Sequence, residues 1–163
     1  MMQLDIQEFG TERARQAFVR LAKNVKDMSE VWKLYRGFHI SDLVPLTFAS
    51  RGAAMGQRWA KYSPAYLAKR RKAGFSGGQM LVLRGDLKAV ATGGSGFTSR
   101  IEKQQLTMAI SGLPYIRVHQ FGYQPKNIPA RPYFFNQKND LPARAWAFMI
   151  RATDDHLLKG VEN

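Results

Sequence analysis

The segment Tyr115–Phe135, YIRVHQFGYQPKNIPARPYFF, limits the possible folds more than any other part of the chain. Pro125, Pro129 and Pro132 each fix φ near −65° and remove a backbone donor. The stretch Gln124–Pro132 therefore suits an edge strand or a stiff extended arm, not a central strand. Gly122 breaks the segment, and Tyr133, Phe134 and Phe135 close it with aromatic bulk. No catalytic motif is built this way.

Hydrophobic periodicity supplies the rest of the frame. Met2, Leu4 and Ile6 alternate with polar neighbours and predict a short first strand, ended by Gly10. Thr11 can cap a following helix in which Ala14, Ala17, Phe18, Leu21, Ala22 and Val25 form one stripe and Arg13, Arg15, Arg20 and Lys23 the other face. A second helical region starts near Ser29 with Val31, Trp32, Leu34 and Tyr35. Gly37 and Ser41 mark a break before it resumes through Leu43–Met55. Ser63-Pro64 is a helix start, and the helix Ala65–Lys72 ends at Gly74. Phe75-Ser76-Gly77-Gly78 and Gly93-Gly94-Ser95-Gly96 read as pliable loops. Met80–Val90 is a short helix or a strand leading into one.

Phe97, Ser99 and Ile101, then Leu106, Met108 and Ile110, alternate with polar or small residues and predict an antiparallel hairpin. Asp140 can cap a last helix whose Trp146, Ala147, Ile150 and Leu157 share a face. The order implies an α+β fold in which N-terminal helices and a C-terminal helix pack on an antiparallel sheet, with residues 1–163 as a single domain.

Composition narrows the chemistry. At 163 residues and 45% hydrophobic content the chain can bury a sizeable core. It has no cysteine, so disulfides and thiolate metal sites are excluded, which fits a reducing cytoplasm. No apolar run approaches the roughly 20 residues of a membrane helix, and MMQLDIQEFG lacks the basic leader and apolar core of a secretory signal, so no membrane association is expected. His39, His119 and His156 have no metal-ligand spacing, and a structural hydrogen-bonding role is expected for His119. The adjacent Asp154 and Asp155 would diverge on a helix and read as a solvated face. Neither glycine-rich loop carries the Lys-Ser/Thr of a phosphate-binding loop. No catalytic residue, cofactor or metal is therefore expected.

The net charge of +13 points to a polyanionic partner, either nucleic acid or an acidic protein surface. Its densest stretch is Arg58–Lys72, where Arg58, Lys61, Lys69, Arg70, Arg71 and Lys72 interleave with Trp59, Tyr62 and Tyr66. Cations on phosphates with aromatics stacking on bases would make this a nucleic-acid surface. The alternative buries Trp59, Tyr66 and Leu67 and leaves the charges in water. The second is favoured, because no reader motif accompanies the cations.

Four segments in order resemble the phage virion morphogenesis family, the tail-completion proteins of tailed bacteriophages. Trp59–Lys69 is similar to its W-x-x-L-S-P-x-Y-x-x-K pattern with Tyr62 in place of leucine, and Met80–Leu87 to its L-x-x-T-G-x-L pattern with Arg84 in place of threonine. Tyr115, His119, Gln120, Phe121 and Gly122 match Y-A-x-x-H-Q-F-G with Ile116 in place of alanine, and Pro129–Phe134 matches P-A-R-P-F-L. The resemblance implies a structural protein with no reaction: a tail terminator or neck subunit that forms a closed ring, commonly six-fold, at the head-to-tail junction. Its partners would be further copies of itself, the tail tube, the head-closure and neck proteins, and the genomic DNA that passes through. It would reside in the virion after assembly in the host cytoplasm. His119, Gln120, Phe121, Gly122, Pro129, Arg131, Pro132, Tyr133 and Phe134 are then the expected inter-subunit residues, with Arg131 on a neighbour or on a backbone carbonyl. The six cations of Arg58–Lys72 would form a basic surface outside the channel or at ring contacts. The rival reading is a basic DNA-binding protein.

Overall fold

A computed structural model describes residues 11–75, 80–136 and 140–161. The strand expected at Met2–Ile6, the capping of the first helix, and all but Phe75 of the loop expected at Phe75-Ser76-Gly77-Gly78 lie outside these residues. Helix α1 spans Thr11–Lys26, and its C-terminal turn is tied to the far end of the chain. Asn24 Nδ2 donates to Leu157 O at 3.1 Å, and Asn24 O contacts His156 Nε2 at 3.0 Å.

Helix α2, Ser29–Phe38, runs into a π-helical turn, His39–Leu43, and directly on into α3, Val44–Ala49. No break occurs at Gly37, which is helical. The irregularity comes a few residues later and Pro45 accounts for it. A proline has no N–H to give Ser41 and its ring collides with that carbonyl in a regular helix. The π turn shifts the pattern just ahead of it, with Val44 N bonded to His39 O.

Helix α4, Pro64–Lys72, starts as its sequence dictates: Ser63 Oγ accepts from Tyr66 N at 3.2 Å, and proline occupies the first turn. Helix α5 covers Asp86–Ala91. Strands β1, Phe97–Ile101, and β2, Leu106–Ile110, pair antiparallel from Phe97↔Ile110 to Ile101↔Leu106, and this hairpin is the sheet among the described residues. Both strands alternate half-buried and exposed positions, the pattern their period-two sequences predict. The fold is α+β, with far more helix than strand.

A short helix not foreseen from the sequence, α6 at Ile116–Phe121, follows the hairpin. Helix α7, Ala143–Leu158, closes the fold. Asp140 does not cap it, since its carboxylate accepts from Leu141 N at 2.7 Å and Pro142 takes the cap position. The buried face also differs from the expected one. Ala145 and Ala152 are buried, with Phe148 and Met149 packed inward, whereas Trp146 and Ile150 point to solvent.

Two apolar clusters hold the molecule together. One gathers Val44, Phe48, Trp59, Leu81, Leu87, Tyr133 and Phe134, with the hairpin residues Phe97, Met108 and Ile110 against it. The other sets Tyr35, Leu43 and Met55 against Ala145 of α7. Residues from both ends of the chain thus share one interior, which hydrophobic burial stabilises.

Candidate functional site: the proline-stiffened knot and its basic flank

Residues 119–135 form a knot around a single amide. Gln120 on α6 is buried, and its Oε1 accepts from Tyr133 N and Phe134 N, each at 3.2 Å, while its Nε2 donates to Phe135 O at 2.7 Å. One side chain therefore satisfies three backbone groups of an irregular segment outside the sheet. Gly122 ends α6 at φ 80°, ψ 175°, a backbone conformation open essentially to glycine alone. A Cβ there would lie 2.8 Å from Ala130 N, so the chain can double back only at a glycine.

The presumed arm Gln124–Pro132 is folded, not free. Tyr123 and Ile128 form an antiparallel bridge around a 3₁₀ turn at Gln124–Lys126, and Asn127 takes a left-handed conformation at φ 48°. Arg131 then crosses α6. Its N–H donates to His119 O at 2.7 Å, and its guanidinium donates through Nε to Ala60 O at 3.1 Å and through Nη2 to Lys61 O at 3.5 Å. Arg131 thus reaches two backbone carbonyls of its own chain. Next door, Trp59 Nε1 donates to Pro132 O at 2.8 Å, and Tyr133 Oη donates to Ile116 O at 3.2 Å. Burial raises the Tyr133 phenol well above its ordinary pKa, so it stays protonated.

The expected inter-subunit residues thus divide. Gln120, Arg131, Pro132, Tyr133 and Phe134 are buried in the chain's own interior. His119 is half-buried and Gly122 shapes the turn, while Phe121, 50% exposed, and Pro129 face outward. His119 is held neutral: burial, and secondarily the charge of Arg131, pushes its pKa down to about 4.

The basic stretch divides as well. Arg58, Lys61, Lys69, Arg71 and Lys72 are exposed, but Arg70 is buried with its guanidinium 5.3 Å from the Tyr62 ring centroid. The Arg131 guanidinium lies 5.0 Å from the same centroid, so one tyrosine meets two cations. Trp59 is in the core as expected, but Tyr66 and Leu67 are exposed. Periodicity could not reveal this, because α4 is too short and too basic to show an apolar stripe.

The sequence also gave no warning of how much apolar surface the helices leave uncovered. Phe18 is 70% exposed on α1, and Ile150 and Trp146 are 58% and 49% exposed on α7. Among the described residues no cluster of three or more His, Asp or Glu side chains could hold a metal ion, and no helix is long and apolar enough to cross a membrane.

The chain belongs to the phage virion morphogenesis family, whose model matches residues 10–147. No curated protein and no solved structure matches it. Membership gives it a structural or morphogenetic role in a phage and associates it with the virion.

Proposed function

We propose that this chain completes the phage tail and takes part in head-to-tail joining, as one subunit of a closed ring acting as tail terminator or neck. The observation that carries this reading is the pair of unlike surfaces that the fold leaves apolar. On the helices, Phe18 and Val25 lie seven residues apart on one face of α1, and Trp146 and Ile150 four apart on α7. On the knot, Phe121 and Tyr123 stand exposed at the HQFG turn. A ring closes through heterologous contacts, so each subunit must offer two different surfaces that fit each other. Large exposed apolar side chains at helical spacing are what such contacts bury. The mechanism is assembly: the ring sits on the last tail ring, stops further growth and presents its other face to the neck. The exposed cations of α4 then lie at ring contacts or on the outside, where they do not retard the passing DNA.

Light scattering across a series of concentrations and salts tests this. The expected result is a closed ring of a few subunits that Phe18→Asp or Trp146→Asp reduces to monomer. A wild-type monomer throughout, combined with normal phage yield from both variants, overturns the reading. Steeply salt-dependent duplex binding by that monomer would instead support the DNA-binding alternative.

A further inference from the structure

Beside the knot, a cavity of about 440 Å³ opens between the start of α4 and the 124–131 loop. Lys61, Lys126 and Arg131 line it, and no carboxylate does among the described residues. Tyr62, Tyr66 and His119 separate it from an adjoining cavity of about 390 Å³. Sequence reinforces the imbalance: between Asp42 and Asp86 the chain has no acidic residue.

Among the described residues, the wall holds a cation without a counter-charge and a buried nitrogen without a partner. Arg131 is only 4% exposed, and its guanidinium meets two neutral carbonyls, Ala60 O through Nε and Lys61 O through Nη2. No ion pair among the described residues includes it. His119 Nδ1 is buried without a partner. A charged group taken out of water without a counter-charge is costly, and each buried unsatisfied polar atom calls for an explanation.

We propose that this cavity receives a carboxylate presented by a partner protein, an acidic side chain whose apolar neighbour packs on Tyr66, Ile128 and Pro129. The positive charge of Arg131 suits a carboxylate, and Lys61 and Lys126 add charge at the rim. A duplex fits less well. Its backbone is convex and its phosphates would meet the protruding cations of α4, whereas a recess admits a single projecting side chain. The inference goes beyond the ring reading and does not depend on it, because binding is measured on the isolated chain in whatever oligomeric state it has.

The test is fluorescence anisotropy of the full chain with a short labelled peptide of alternating Asp and Leu, its Asn and Leu counterpart, and a short DNA duplex. Lys61→Glu with Lys126→Glu changes only exposed rim residues, and Lys23→Glu with Lys26→Glu makes the same charge change on α1. We expect the acidic peptide to bind, the Asn peptide not to, and the rim pair to weaken binding at least tenfold with the α1 pair near wild type. The proposal is overturned by absence of acidic-peptide binding or by equal weakening from both pairs, which would mean bulk charge. It is also overturned by duplex binding that the rim pair alone abolishes, which would give the recess to phosphate.

Discussion

Gln120 is the residue whose removal should cost most for its size. Its amide satisfies Tyr133 N, Phe134 N and Phe135 O, and it is 3% exposed, so water cannot readily take its place. In Gln120→Ala, two N–H groups and one carbonyl lose their partners inside the protein. Each unsatisfied buried group costs about 1–3 kcal/mol, and partial relaxation brings the sum to roughly 4 kcal/mol. That is a large share of the roughly 5–15 kcal/mol that stabilises a typical domain. Gln120→Glu sharpens the argument. The carboxylate keeps both acceptor roles but turns an oxygen toward Phe135 O, so it should destabilise strongly at pH 7. At pH 5 its protonated form can donate that bond, and the deficit relative to wild type at the same pH should shrink. Urea unfolding followed by tryptophan fluorescence measures both effects, since one of the three tryptophans, Trp59, is bonded to Pro132 O beside the affected segment. A cost below 1 kcal/mol for Gln120→Ala, or a Gln120→Glu deficit independent of pH, would refute the account of the knot.

Three further outcomes are expected. His39 is buried with both ring nitrogens unpartnered and its ring edge-on to Phe134 at 4.7 Å, and burial pushes its pKa down to about 4. Because the unfolded histidine titrates near 6.5, the unfolded chain takes up the proton first. Stability is thus full above pH 6.5 and falls toward pH 4, by up to roughly 3 kcal/mol for this group. His39→Leu should flatten part of that decline in urea midpoints measured across pH, leaving the share due to His119, and an unchanged slope would rule this out. Gly122→Ala meets both a glycine-only backbone conformation and a Cβ 2.8 Å from Ala130 N, so thermal unfolding should show a loss of at least about 2 kcal/mol. Ser63→Ala should cost about 1 kcal/mol by removing the cap on Tyr66 N, and Ser63→Asp should retain most of it; equal losses in the two variants would mean the cap is idle.

What the sequence revealed depended on how far each signal reaches. The hairpin was legible residue by residue, because alternation at Phe97–Ile101 and Leu106–Ile110 maps directly onto one covered and one open face. The start of α4 was legible because Ser63-Pro64 carries its own local chemistry. Helix α7 was found but its orientation was misjudged, since Ala145, Phe148, Met149 and Ala152 form a second apolar stripe and only the tertiary fold chooses between the two. Helix α6 was missed because six residues are too few to display a period. In the site, Tyr133, Phe134 and Phe135 were read as anchors for a neighbour, and Tyr133 and Phe134 are packed in this chain's interior. Periodicity, however, cannot tell a neighbour's core from the chain's own, and it gave no sign that Arg70 alone of its cluster would turn inward over Tyr62.

The ties across the knot also set the order in which the molecule can be made. Trp59 and Pro132 are 73 positions apart in the chain, and Arg131 and Ala60 are 71 apart. Such distant pairings delay folding, since loop closure must precede the contacts that reward it. During synthesis Val44, Phe48 and Trp59 emerge long before Tyr133 and Phe134, their partners in the main cluster. At roughly 5–20 residues per second, the ribosome leaves that half-core open for several seconds. A chain that ends before Phe134 would never close it, so premature termination should yield fragments for the host's proteases instead of partial subunits able to poison assembly.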